Sequence, residues 1–278
     1  MDRLITKCGQ ICNLTTHRII EACYKLTTPE LRLIYSCISK INFKQIISKD
    51  ELFTITSSEY ADCFNIPKPN VTRELKQAVD KLWDREIIIK QENNDVFKTR
   101  WISRQAIYEN GNAEIRFAVD VIPYLTTLME LGNFTKYKLE NMGGLKSAYA
   151  IRLYELLKQY ENLKTRKLTI DDLREILCLG DKYTAMRDFK KRVLDLAITE
   201  INTCTDLNVS YENIKTGRKV TGFLFTIKLN KDVKRVKSDK KYLNAKEVDA
   251  KARAGESYID LYNRLENQGY TFTKTQKK

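Results

Sequence analysis

One pattern is written twice in this chain, and it limits the fold to one with two like domains. Arg73-Glu74-Leu75-Lys76 lies within VTRELKQAVDKLW, and Arg187-Asp188-Phe189-Lys190 within YTAMRDFKKRVLDLAI. A step of 114 carries Leu75 to Phe189, Val79 to Val193 and Leu82 to Leu196. Ahead of each lies a shorter helical segment, TSSEYADCFNI (56–66) and TIDDLREILCL (169–179). There a step of 113 carries Thr56, Tyr60 and Phe64 onto Thr169, Leu173 and Leu177. Each copy reads short helix, brief loop, longer basic helix, then strands. That order is a helix-turn-helix followed by a β wing.

The 278 residues are enough for two domains with ordinary cores. Apolar residues make up 42% and charged residues 31%, the balance of a folded chain and not a disordered one. The net charge of +13 favours a polyanionic partner, although many proteins are basic without one. Seven cysteines are scattered with no CxxC pair. An odd number, with no signal peptide in view, fits reduced thiols and a cytoplasmic setting. Cys8, Cys12, His17 and Cys23 fall close together, but their spacing matches no common zinc module, so no metal is expected. No apolar run approaches the length of a membrane helix.

Along the chain, QICNLTTHRIIEA reads as a strand leading into a short helix. A firmer helix opens at Thr27, with Glu30 at capping-box spacing and Pro29 in the first turn. Leu31, Ile34, Tyr35, Ile38 and Ile41 form its apolar stripe. Pro67-Lys68-Pro69-Asn70 divides the helices of the first copy, and Asn70 is the expected N-cap of the second. After Trp83 the period changes. REIIIKQ, VFKTRWISRQAIY and AEIRFAV, separated by Asn93-Asn94-Asp95 and Glu109-Asn110-Gly111-Asn112, predict one three-stranded sheet over 86–119. A helix is expected over 121–133 and a long one over 145–163, with Gly143-Gly144 breaking the pattern between them. Leu207, Val209 and Tyr211 alternate, NIKTGRK turns, and VTGFLFTIKL returns. The fold class is therefore α+β, two tandem winged helices. The expected divisions are an N-terminal domain at 1–132, a C-terminal one at 143–230, and a basic extension at 231–278. That extension holds thirteen Lys or Arg against seven Asp or Glu. It reads as solvated, with one helix near 257–267 and a frayed end from 271.

The start of the second helix of such a motif enters the major groove. In the second copy this start is read as Asp181 to Asp188, with Met186, Phe189, Val193, Leu196 and Ala197 as the buried stripe. Lys182, Tyr183, Thr184, Arg187, Lys190 and Lys191 are left for the exposed side. Arg187 has the reach for bidentate pairing with a guanine. Lys190, Lys191 and Arg192 suit phosphates, and Lys215, Arg218 and Lys219 sit at the hairpin tip beside them. The same slots of the first copy hold Lys68, Asn70, Thr72, Arg73 and Lys76, with Gln77 in place of Lys191. That face is less charged, which suits auxiliary phosphate or protein contacts.

LKSAYAIRLYELLKQY (145–160) resembles the signature helix of the iteron-binding plasmid replication initiators. YKLTTPELRLIYSCISKI (24–41) resembles their opening helix. LTIDDLREILCL and YTAMRDFKKRVLDLAITEIN resemble their second helix-turn-helix. The likeness spans about residues 10–230. It implies tandem winged helices, with direct repeats of a theta-type origin bound by the second one. It further implies a homodimer formed through the first winged helix, which represses the protein's own gene. It also implies origin melting, with recruitment of host initiation factors and helicase. The rival reading is a transcriptional regulator with two winged helices and no replication role. A rolling-circle nicking enzyme needs a paired-histidine metal site, and the chain has one histidine, His17. No P-loop is present, and no catalytic constellation or cofactor is expected.

Overall fold

The computed structural model describes residues 12–41, 47–90, 95–126 and 134–230, with short stretches at 241–243, 251–253, 257, 261, 264–265 and 270–272. The chain forms two compact units, Met1–Val233 and Lys234–Lys278. Both winged helices lie in the first.

The first half opens with β1 (Cys12–Thr16), α1 (His17–Glu21) and β2 (Cys23–Tyr24). The strand and short helix are those expected. In α2 (Thr28–Ile38) the Glu30 carboxylate accepts from the Thr27 amide, and the predicted stripe is buried. β3 (Phe53–Ile55) and α3 (Ser57–Phe64) follow. Thr56 caps α3 in a reciprocal box with Glu59, and Asn65, in the left-handed region at φ 51, ends it. The next helix, α4 (Lys68–Leu82), is capped by Pro67 and not by Asn70. A proline just ahead of the helix withholds a donor that had no partner there, and Pro69 fits the first turn for the same reason. Asn70 lies inside that turn, where its side chain accepts from Arg73 at 3.1 Å.

The strands beyond Trp83 do not make one sheet. β4 (Glu86–Lys90) and β5 (Val96–Arg100) pair with each other, and β4 pairs with β2. β6 (Ile102–Ile107) and β7 (Ala113–Phe117) form a second hairpin whose β7 pairs with β3. The break falls at Trp101, which the sequence placed inside a single strand. Its indole is buried and meets Tyr24 edge-on at 5.0 Å. Burial of that ring turns the chain from one sheet to the other.

α5 (Ile122–Thr126) covers the start of the helix expected at 121–133, and 127–133 lie outside the described residues. β8 (Phe134–Lys138) pairs antiparallel with β1, a partner no periodicity announced. α6 (Glu140–Gly143) stops at the glycine pair. α7 (Ala148–Lys158), capped by Ser147, is shorter at both ends than the helix expected over 145–163.

The second winged helix has β9 (Thr165–Thr169) and α8 (Ile170–Ile176), again opened by a threonine box, here Thr169 with Asp172. Its long helix has three parts: α9 (Met186–Phe189), a π-helical turn (Lys190–Asp195) and α10 (Leu196–Cys204). β10 (Leu207–Thr216) and β11 (Lys219–Leu229) complete a sheet ordered β10-β11-β9. The first half repeats this topology as β6-β7-β3, so the β4–β5 hairpin is an insertion in one copy only.

One apolar core runs through both halves. α7 lies between them, touching α1 and α2 on one side and α10 on the other. From this helix the buried Arg152 donates to Ala22 O at 2.8 Å and Ile176 O at 3.4 Å, and also to the Tyr24 hydroxyl. Glu155, one turn on and fully buried, accepts from Tyr35 at 2.5 Å and Tyr137 at 2.7 Å. Arg32 of α2 pairs with Glu74 at 3.2 Å.

In the second unit β12 (Lys241–Leu243) runs parallel to β13 (Tyr270–Phe272), and Leu261 and Leu265 are buried. Positions 261, 264 and 265 are helical, as expected. The segment is thus not simply solvated; of the stretch from 271 where fraying was expected, 271 and 272 lie in β13, and 273–278 lie outside the described residues. Those two leucines at helical spacing are its apolar side. Among the described residues no helix is long and apolar enough to cross a membrane.

Candidate nucleic-acid interface

The second recognition helix begins later than the sequence suggested. Ala185 precedes it in extended conformation and Met186 is its first residue. Asp181, Lys182, Tyr183 and Thr184 therefore belong to the turn and not to the helix. That turn uses the left-handed region repeatedly, at Cys178 (φ 51), Gly180 (φ 53) and Tyr183 (φ 54). Arg174 holds it in place. Its guanidinium donates to Lys182 O at 2.9 Å, to Tyr183 O at 3.2 Å and to Gly180 O. Sequence reasoning passed over Arg174. Its only signal was a cation in the last turn of α8, six positions before a glycine. Tyr183 is half-buried, its ring edge-on to Tyr149 at 6.3 Å, so it supports the turn more than it faces solvent.

The π turn changes which side chains are buried. Phe189 and Val193 are buried as expected, but Leu196 is 48% exposed and Leu194 is fully buried. A π turn accommodates one extra residue and rotates the rest of the helix by about one residue's share of a turn. From Val193, inside this turn, the correspondence with the first copy moves from a step of 114 to one of 115. Ala78, Val79 and Leu82 then match Val193, Leu194 and Ala197, and all six are buried.

On the outer face Arg187, Lys191 and Arg192 are exposed. Arg192 lies 3.6 Å from Asp188, one turn back. Lys190 is half-buried instead, its ammonium 5.7 Å from the Phe223 ring centroid and 6.0 Å from that of Tyr211. Tyr211 donates to Asp195 at 2.8 Å, binding the wing to the helix. Burial, then the bond to Asp195, pushes its hydroxyl up, so it stays a donor.

Lys215, Arg218 and Lys219 are all exposed at the wing. At its tip Gly217, φ +60, has nothing within 4 Å of where a Cβ would stand. Between wing and helix runs a groove of about 710 Å³. Thr184 and Met186, Arg218 and Lys219, and Arg174 are among its lining. Asp171 and Asp181 line it too, so its charge is mixed.

The first copy is arranged differently. Asn70, Thr72, Arg73 and Lys76 are exposed, while the Lys68 side chain lies outside the described ones. The β6–β7 hairpin tip folds back onto the helix start. Ser57 donates to Gly111 O at 2.6 Å, and a Cβ on Gly111 would come within 3.0 Å of Thr72. This wing is docked where the second stands free.

Among the described residues no three His, Cys, Asp or Glu side chains gather as a metal site. Cys8, and the side chains of Cys12 and His17, lie outside them.

Residues 15–158 match the family described as "Initiator Replication protein, WH1", and residues 169–227 the one described as "Initiator Rep protein, WH2". A replication initiation protein of Escherichia coli is 26% identical over 217 residues, covering 76% of this chain and 67% of the relative. The PI protein of Escherichia coli is 25% identical over 264 residues, covering 81% and 86%. Among solved structures, the Pi initiator protein in complex with iteron DNA superposes with a TM-score of 0.70 at 22% identity. That likeness covers 80% of this chain and 99% of the other, and it supports the tandem winged-helix fold.

Proposed function

The chain belongs to the initiator replication protein family, and from that premise we propose that it starts plasmid replication by binding direct-repeat iterons in a theta-type origin. The observation that carries this reading is the shared groove. It puts the N-terminal end of the second recognition helix and a free, basic wing on one side of the molecule. Arg187 is the base-reading side chain. Lys191, Arg192, Lys215, Arg218 and Lys219 meet phosphates, and Lys182 and Thr184 approach the backbone from the turn. Lys190 contributes charge across the aromatic wing strands. Asn70, Thr72, Arg73, Lys76 and Lys68 add weaker contacts, since the docked hairpin narrows their access.

The finer parts of the proposal rest on the family resemblance. The first winged helix, within 1–132, carries homodimer contacts, and the dimer represses the protein's own promoter. The second, within 143–230, reads the repeats. Origin opening and recruitment of host initiation factors and helicase follow without catalysis by this chain, in the cytoplasm where the plasmid resides. A footprint on the DNA flanking its own gene tests the reading. Protection should recur on tandem repeats spaced by about two helical turns. Protection of one isolated site, with no repeat, would favour a plain regulator.

A further inference from the structure

Cys23, in β2 of the first half, and Cys178, just past α8 in the second, stand with their sulfurs 2.7 Å apart although 155 positions separate them. That is within about 0.7 Å of a bonded disulfide length. Both thiols are free and half-buried. Cys178 has a left-handed backbone at φ 51, and the repeat pairs it with Asn65, also at φ 51. Asparagine adopts that conformation readily because its short polar side chain bonds locally, whereas cysteine has no such advantage. What the sulfur meets is the better reason for a cysteine there. A cavity of about 300 Å³ opens beside Cys178, and Lys25, Arg85, Arg152 and Lys182 are in its lining. Arg85 and Arg152 are held by other groups, but Lys25 and Lys182 are exposed at it. Such a cavity draws small anions toward the thiol.

We propose that Cys178 and Cys23 form a reversible disulfide, made by exchange with an anionic low-molecular-weight disulfide such as glutathione disulfide. The Cys178 thiol gives up its proton and its sulfur bonds to one sulfur of the small disulfide; the S–S bond breaks and the other sulfur leaves as a thiolate that takes up that proton. The Cys23 thiol then gives up its proton, its sulfur bonds to that of Cys178, and the bond between Cys178 and the small molecule breaks, the second small thiolate leaving with that proton. Two protein thiols are oxidised and one small disulfide is reduced to two thiols. Burial, and then the bond to Cys178, pushes the Cys23 thiol up to about 12, so it suits the second, intramolecular step better than the first. The bond joins the turn of the second helix-turn-helix to the first winged helix. It makes the placement of the two sensitive to thiol redox poise, the role in which cytosolic disulfides are mostly found.

The test uses the full chain, kept in dithiothreitol or exposed to glutathione disulfide, then digested without reductant and analysed by mass spectrometry. A linked peptide pair containing Cys23 and Cys178, released by dithiothreitol, is expected only after oxidation. The unfolding midpoint of the oxidised chain should rise by several degrees, because the bond closes a very long loop. Cys23→Ser should hold glutathione on Cys178 without the rise. Cys178→Asn, suited to the left-handed backbone, should fold and acquire neither. An unlinked wild type, Cys178 joined to a different cysteine, or an equal rise in Cys23→Ser would overturn the proposal.

Discussion

Arg187 is exposed, and no ion pair or ring engages it among the described residues, whereas Arg192 faces Asp188 and Lys190 lies over two aromatic rings. A free guanidinium in the second position of the helix is the one best able to reach a base edge. Arg187→Ala should cost about 1–3 kcal/mol on the cognate repeat and much less on random DNA, with little change in salt slope. Lys191→Ala should instead weaken both DNAs alike and lower the log–log salt slope by about one. Titration against salt on the two DNAs separates these outcomes, and equal losses for Arg187→Ala would reduce it to a phosphate contact. Glu155 offers a second measurement at this scale. Burial raises its carboxyl, although Arg152 and the hydroxyls of Tyr35 and Tyr137 oppose the shift. Folding thus favours the protonated form. The stability this group lends is full below its unfolded value of about 4.3 and is lost as pH rises through the raised folded value. Glu155→Gln cannot titrate. The stability difference, wild type minus variant, should therefore shrink as pH rises above about 4, as read from denaturant midpoints. A difference that grows with pH would contradict the burial argument.

Among the elements, the second recognition helix marks where the sequence stops being legible. Side-chain periodicity located both helix-turn-helices, because Thr56 and Thr169 both cap and Phe64 and Leu177 are both buried. It failed at Leu196, because a single-residue insertion absorbed in a π turn leaves composition and length almost unchanged. It also failed at Trp101, where VFKTRWISRQAIY alternates like one strand although burial of the indole divides it. The pairing of β1 with β8 was equally hidden, because backbone hydrogen bonds leave no apolar signature. The clamp by Arg174 was invisible for a related reason, since its partners are carbonyls. The π turn itself can be tested. Deleting Lys191 would leave buried residues at spacings of three, four and seven from Phe189. These are the spacings of Ala78, Val79 and Leu82 from Leu75, which an ordinary α-helix supports. The variant should keep its thermal midpoint within a few degrees of wild type. It should lose specific binding to the repeat, because the helix start is rotated relative to the wing. Full specific affinity in this variant would mean that the π turn has no part in presenting Arg187.

For the molecule as a whole, the duplicated pattern gave the number of winged helices and the basic balance gave the class of partner, but neither revealed how far the halves share a core. That sharing was hidden in part because Arg152 and Glu155, which bond across the junction, look on paper like the ordinary charged positions of an amphipathic helix. In the folded chain both are buried and hold the junction together. Arg152 needs Ala22 O and Tyr24, and Glu155 needs Tyr35 and Tyr137, none of which lies within 143–230. A fragment starting at 143 would lose all of these partners at once. Its Arg152 and Glu155, still 3.8 Å apart, would be left on an apolar helix face that α1 and α2 normally cover. Removing one side of a buried charged network typically costs about 3–5 kcal/mol, and most domains are stable by only about 5–15 kcal/mol. The fragment should therefore unfold at markedly lower denaturant than the full chain, and with a lower slope. It should also bind a hydrophobic dye and bind the repeat weakly. A fragment that unfolds cooperatively at the midpoint of the full chain would show that the second winged helix stands alone and that the shared core is incidental to its stability.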